Sequence, residues 1–143
     1  MVALLFWSLV LLCGGFAAAY GGRAGRRIAL IYFAACLATS WVTRDELAWL
    51  HPHLPAFAVD LVLLGALGWV ALRSDRWFPV WFTGLHLVAV TSHLASIVAP
   101  EFSPRVYFLV QALWSIPMLL TLAIGVALDR RAGIADAYAG ARA

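Results

Sequence analysis

Residues 56–98 read AFAVDLVLLGALGWVAL, then RSDR, then WFPVWFTGLHLVAVTSHLASIV, and this stretch decides the fold. Two apolar runs, Ala56 to Leu72 and Trp77 to Val98, flank a break made of two arginines, a serine and an aspartate. A helical bilayer crossing takes about 20 predominantly apolar residues, within a range of about 17 to 25, so both runs are long enough to cross. A connection this short makes the two helices antiparallel neighbours. Trp69, Trp77 and Trp81 fall at the same boundary, where amphipathic rings act as interfacial anchors.

Outward from this hairpin the pattern repeats. Val2 to Tyr20, Ile28 to Val42 and Val106 to Leu128 are further apolar runs, separated by breaks such as Gly21-Gly22-Arg23 and Ala99-Pro100-Glu101 that carry ordinary turn chemistry. The run Ile28 to Val42 is short for a crossing and would have to borrow the ends of its loops or thin the bilayer locally. Ala17-Ala18-Ala19 imitates a signal-peptide cleavage site, but no basic residue precedes the apolar stretch, so the segment reads as a retained span.

Composition agrees. The chain is 64% hydrophobic and 12% charged, with a mean hydropathy of +0.91, which would leave a soluble domain without a polar surface. The expectation is therefore an all-α polytopic integral membrane protein. It is a single transmembrane domain over residues 1–143, a compact bundle of five helices at about 2–20, 28–42, 56–72, 77–98 and 106–128, with 129–143 as a short cytoplasmic tail. At 143 residues such a bundle leaves no room for a soluble catalytic or nucleic-acid-binding domain.

Arginine placement gives the bundle a direction. Arg23, Arg26 and Arg27 follow the first run, Arg73 and Arg76 the third, and Arg130, Arg131 and Arg142 the fifth, while only Arg44 and Arg105 lie on the other side. Basic residues accumulate on the cytoplasmic side, so the N-terminus is expected outside and the C-terminus inside. The net charge of +3 is explained by this bias, and no continuous basic stripe marks a nucleic-acid partner. Ten arginines with no lysine, together with abundant alanine, suggest a GC-rich bacterial source and hence an inner membrane. Thr43 to Pro55 would be the largest external feature, with Asp45 to Trp49 as a short interfacial helix.

Ionisable residues at membrane depth are costly and are functional candidates by default. Counting from the break at Ser74 to Arg76, Asp60 lies about as deep as residues 88–90 of the following antiparallel run, and His86 and His93 bracket that depth. Gln111 lies at nearly the depth of His93, with Ser115 one turn further. Thr83, His86, His93 and Ser96 are spaced three, seven and three apart, which is one helical face. Pro117 should weaken or kink the last helix.

Asp60, His86, His93, Gln111 and Ser115 thus form either a proton or solute pathway or a set of hydrogen bonds that holds helices together, each worth about 0.6 to 2 kcal/mol. Gly65 and Gly68 are candidate points of close helix approach. Cys13 and Cys36 have neither metal-ligand nor redox-pair spacing and read as small packing residues. His51-Pro52-His53 lacks a third metal ligand and reads as a capping or interfacial loop.

No phosphate loop, nucleophile elbow, paired catalytic carboxylates or dithiol motif occurs, so there are no catalytic residues, no metal and no enzyme activity in this reading. No cofactor is expected; the alternative is a haem or pigment shared with partner chains. His86 and His93, about 10.5 Å apart along one helix, cannot serve a single iron.

Five spans, this length and seven tryptophans are similar to the translocator-protein or tryptophan-rich sensory protein family, which binds porphyrins and sterol-like ligands. Gln111-Ala112-Leu113-Trp114-Ser115 resembles an Asn-Trp-Ser region of that family. The resemblance is one of size and composition; prolines and tryptophans elsewhere depart from the family pattern, and no binding residue carries over. The functional expectation is a non-enzymatic membrane subunit of a larger complex or homo-oligomer, acting through helix packing, with membrane lipid and other chains or copies of itself as partners. The alternative is a small oligomeric channel or transporter component that moves protons or a small solute past the Asp60, His86, His93 and Gln111 cluster.

Overall fold

The structure is a computed structural model and describes residues 2–44, 54–98 and 104–134; of Val2 and residues 104–112 only the helical backbone is described. The described chain is all-helical, with α1 (Val2–Tyr20), α2 (Gly22–Val42), α3 (Leu54–Leu72), α4 (Trp77–Val98) and α5 (Pro104–Arg131). Pro55, Pro79 and Pro104 lie in first turns, where the missing N–H has no intrahelical partner to lose. Helix α5 runs unbroken through Pro117, which was expected to weaken it. The proposed external helix at Asp45 to Trp49 and the His51-Pro52-His53 loop lie outside the described residues.

Four helices, α1, α3, α4 and α5, contain a stretch long and apolar enough to cross a membrane. Helix α2 is also 21 residues long, but Arg23, Arg26 and Arg27 occupy its first turns. The helix extends six residues ahead of the apolar run at Ile28 to Val42, and Arg26 and Arg27 in that extension make contacts outside the helix. Arg26 Nε donates to the carbonyl oxygen of Ala18 at 2.9 Å, satisfying an open carbonyl at the end of α1. Gly22, at φ +62°, supplies the left-handed residue that lets α2 begin one residue after α1 ends.

The five helices close into a ring in chain order. Each packs against its sequence neighbours and α5 returns to α1, while contacts across the ring, such as that between α2 and α4, are much smaller. The two ends of this ring differ. Toward the arginine-bearing end the interior is filled by Ile28, Leu67, Phe78, Phe82, Leu122 and Val126, all nearly or fully buried. Close approach there depends on glycine: a Cβ at Gly25 would fall 2.7 Å from the Ala17 carbonyl oxygen, and one at Gly125 would strike the base of the Phe78 side chain. Gly65 and Gly68, the expected points of approach, face open space instead.

The arginine-bearing end is also tied by specific contacts. Arg76, in the α3–α4 turn, pairs with the buried Asp129 of α5 at 2.6 Å and donates to the Ile134 carbonyl oxygen at 3.0 Å. Trp69 is flanked by the guanidinium groups of Arg27 at 5.4 Å and Arg73 at 4.7 Å, and Arg130 lies 4.1 Å over the Tyr20 ring. These distances are within cation–π range. Trp77 and Trp81 project outward at the same end, both exposed.

Candidate functional site

At the opposite end the ring does not fill. All five helices border a cavity of about 680 Å³, lined by the first third of α1, the second half of α2, the start of α3, the second half of α4 and the middle of α5. Small side chains leave the space. Ala35, Ala56 and Ala89 stand on its wall, whereas the interior of the packed half carries phenylalanine and leucine.

Asp60 is the acidic centre of the cavity wall, and α4 grips it twice. His93 Nδ1 lies 2.9 Å from Asp60 Oδ2, and His86 Nε2 lies 3.0 Å from the Asp60 carbonyl oxygen. The carbonyl can only accept, so His86 must carry its proton on Nε2 and donate it. Between His93 and the carboxylate a single proton bridges, carried by Nδ1 when Asp60 is ionised and by Oδ2 when His93 accepts. The seven-residue spacing makes this possible, because two turns of α4 place both imidazoles on the α3 side.

The members of this cluster are unequally placed. The Asp60 side chain is 24% exposed whereas that of His93 is 2% exposed, so His93 is the buried support and the carboxylate borders the cavity. Phe57 closes over His93 edge-on, with ring centroids 5.2 Å apart. Desolvating a hydrogen-bonded charge strengthens its remaining interactions, which makes the pair a strong local electrostatic feature.

Depth counting in the sequence therefore finds Asp60, His86 and His93 together, and Ser115 borders the same cavity. The Gln111 side chain lies outside the described residues. Thr83 and Ser96 do not join the cluster by hydrogen bonding; their hydroxyls donate one turn back, to the carbonyls of Pro79 and Ser92. Cys36, read from the sequence as a packing residue, lies on the cavity wall with Tyr32.

Sequence reasoning missed the α1 and α2 wall. Phe6, Trp7, Tyr32, Thr39, Ser40 and Thr43 all border the cavity, and nothing in their spacing distinguishes them from lipid-facing residues. Ser40 and Thr43 donate their hydroxyl protons to the carbonyls of Cys36 and Thr39, at 2.8 and 2.7 Å, which leaves their oxygens as acceptors. Among the described residues no group of three His, Cys, Asp or Glu stands in a metal-binding arrangement. The Trp114 indole N–H is buried without a hydrogen-bond partner among the described residues.

Below His86 the described polar side chains give way to the packed half. His86 is separated from Arg76 by about 15 Å of helix, across which Phe78 and Phe82 are fully buried. The cavity ends at this packed half.

No family model, curated protein or solved structure matches the chain, so its likeness to the translocator-protein family rests on size and composition alone.

Proposed function

We propose that this chain is a five-span membrane protein that binds a small molecule in its one-ended cavity, with the Asp60–His93 pair as the polar anchor. In this reading α2 is the fifth crossing, the arginine-bearing end is cytoplasmic, the N-terminus is outside, and the membrane is a bacterial inner membrane. Trp69, Trp77 and Trp81 anchor the cytoplasmic boundary. The protein is non-enzymatic and serves as the solute-binding or transport component of an assembly with copies of itself or other membrane chains.

The observation that carries this reading is the contrast between the cavity and the plug beneath it. A volume of about 680 Å³ lies within the range of about 300 to 1,000 Å³ occupied by small-molecule sites, which are mostly apolar with a few convergent polar groups. A continuous pore would need polar or open space past Phe78, Phe82 and Leu122, and these are fully buried. A carrier closed on one side, or a binding subunit, fits this arrangement better than a channel.

A second reading has its own observation. Both histidine bonds tie α3 to α4 through one residue, so Asp60 can also act as a helix staple in a structural subunit. Native mass spectrometry of the complex extracted into nanodiscs, for wild type and Asp60→Asn, separates the two. The binding reading expects a retained small-molecule mass on the wild type that is lost from an otherwise intact Asp60→Asn complex. A wild type with no such mass, whose partner chains dissociate in Asp60→Asn, would replace it with the structural reading.

A further inference from the structure

The chemistry of the cavity wall goes further than its volume. We propose that its ligand is an amphiphilic organic cation, a protonated or quaternary nitrogen or comparable onium centre carried on an aromatic or aliphatic body. This rests on the binding reading above and adds the class of molecule bound.

Three features of the wall agree on that class. The first is charge. Asp60 borders the cavity with its side chain 24% exposed, one oxygen held by His93 and the other without a hydrogen bond among the described residues. Among the described residues no arginine borders the cavity; at the other end Arg76, Arg26, Arg27, Arg73 and Arg130 are engaged with Asp129, Ala18, Trp69 and Tyr20. With His93 neutral and lending only its Nδ1 proton, an anion entering would meet a carboxylate with no guanidinium to offset it, whereas a cation supplies a counter-charge in a site of low dielectric.

The second feature is hydrogen-bond polarity. Ser40 and Thr43 have already donated their protons to backbone carbonyls, so both present lone pairs to the cavity. His86 has likewise used its Nε2 proton on the Asp60 carbonyl. These groups offer acceptors, which suit an ammonium head that can only donate or a quaternary head that is attracted to partial negative charge.

The third feature is aromatic. Phe6, Trp7, Tyr32 and Trp114, from three helices, surround the space. Ring faces attract cations, and a carboxylate beside several aromatic rings is a physically sufficient recognition site for an onium group. The remaining wall, including Leu9, Leu63 and Met118, is apolar and accepts the body of the molecule. Such a molecule partitions into the bilayer on its own.

The test uses two ions of matched size and shape and opposite sign. Radiolabelled tetraphenylphosphonium and tetraphenylborate are dialysed to equilibrium against the full-length protein in zwitterionic nanodiscs, with protein-free nanodiscs subtracted to remove lipid partitioning. The expected result is saturable binding of tetraphenylphosphonium at about one per chain, no saturable binding of tetraphenylborate, and at least a roughly tenfold weaker phosphonium affinity in Asp60→Asn. The comparison of the two ions on the wild type needs no substitution, so a poorly folded Asp60→Asn does not decide the matter.

If both ions bind saturably to the wild type and both are displaced by the cavity-filling Ala35→Trp, the cavity binds without regard to charge; the cation class fails while the binding reading stands. If neither ion saturates, and no small-molecule mass is retained on the native complex, both fail together.

Discussion

The two halves of this helical ring use the same kinds of residue to opposite ends. In the arginine-bearing half, Phe78, Phe82, Leu119, Leu122 and Val126 interlock, and glycines stand where neighbouring atoms leave no room for a Cβ. In the other half a space of about 680 Å³ lies between the helices, with Ala35, Ala56 and Ala89 on its wall. In lipid there is little hydrophobic gain from bringing helices together, so close packing and hydrogen bonds must supply their association. The packed half provides the first and the Asp60–histidine bonds provide the second. The molecule packs tightly at one end and leaves a cavity beside Asp60 at the other.

This division predicts unequal responses to equal changes. Phe82→Ala removes a fully buried ring from the packed half and should cost about 3 to 5 kcal/mol. Phe6→Ala, on the cavity wall, enlarges a space that already exists and should cost about 1 kcal/mol or less. Both values are read from reversible unfolding in mixed micelles, and equal losses would erase the distinction between the halves.

Adding a single methyl sharpens the comparison. Gly125→Ala drives a Cβ into Phe78, and overpacking of this kind costs about 1 to 3 kcal/mol. Gly84, on the outer surface of the same bundle, has nothing within 4 Å, so Gly84→Ala should change stability by less than about 0.5 kcal/mol in the same assay. The smallest effect is expected at the cavity itself. Ala35→Leu fills vacant space and should shift stability by less than about 0.5 kcal/mol, while reducing saturable tetraphenylphosphonium binding; a large destabilisation would mean that α2 already packs tightly there.

The same contrast explains what was legible in the sequence. Apolar runs between arginine-bearing breaks gave the helices, and the short RSDR break set α3 against α4 closely enough that residue counting brought Asp60 to His86 and His93. That inference is local: it depends on one hairpin and a fixed rise per residue. Helix α2 was underestimated because its first turns contain Arg23, Arg26 and Arg27, whose charge conceals a helical backbone stabilised by the Arg26 contact with α1.

The rest of the site depends on ring closure. Phe6 and Trp7 reach the cavity only because α5 returns to α1, an arrangement that no periodicity in α1 records. The Arg76–Asp129 pair spans 53 residues and is equally invisible to spacing. Glycine was misread for a related reason. Gly65 and Gly68 have the composition of a close-approach site, but whether a glycine meets a neighbour is settled by the partner helix, and Gly21, Gly25 and Gly125 are the ones that do.

The contrast between a cavity beside Asp60 and a packed half at the arginine-bearing end can be read from water contact with individual methyl groups. Methyl-labelled leucine, valine and methionine in nanodiscs allow methyl-to-water Overhauser transfer to be measured without any substitution. The account predicts transfer at Leu63 and Met118, which border the cavity, and none at Leu122 and Val126, which fill the plug. Equal transfer at all four would reveal a continuous hydrated path and contradict the one-ended cavity; absence of transfer at Leu63 and Met118 would contradict the cavity itself.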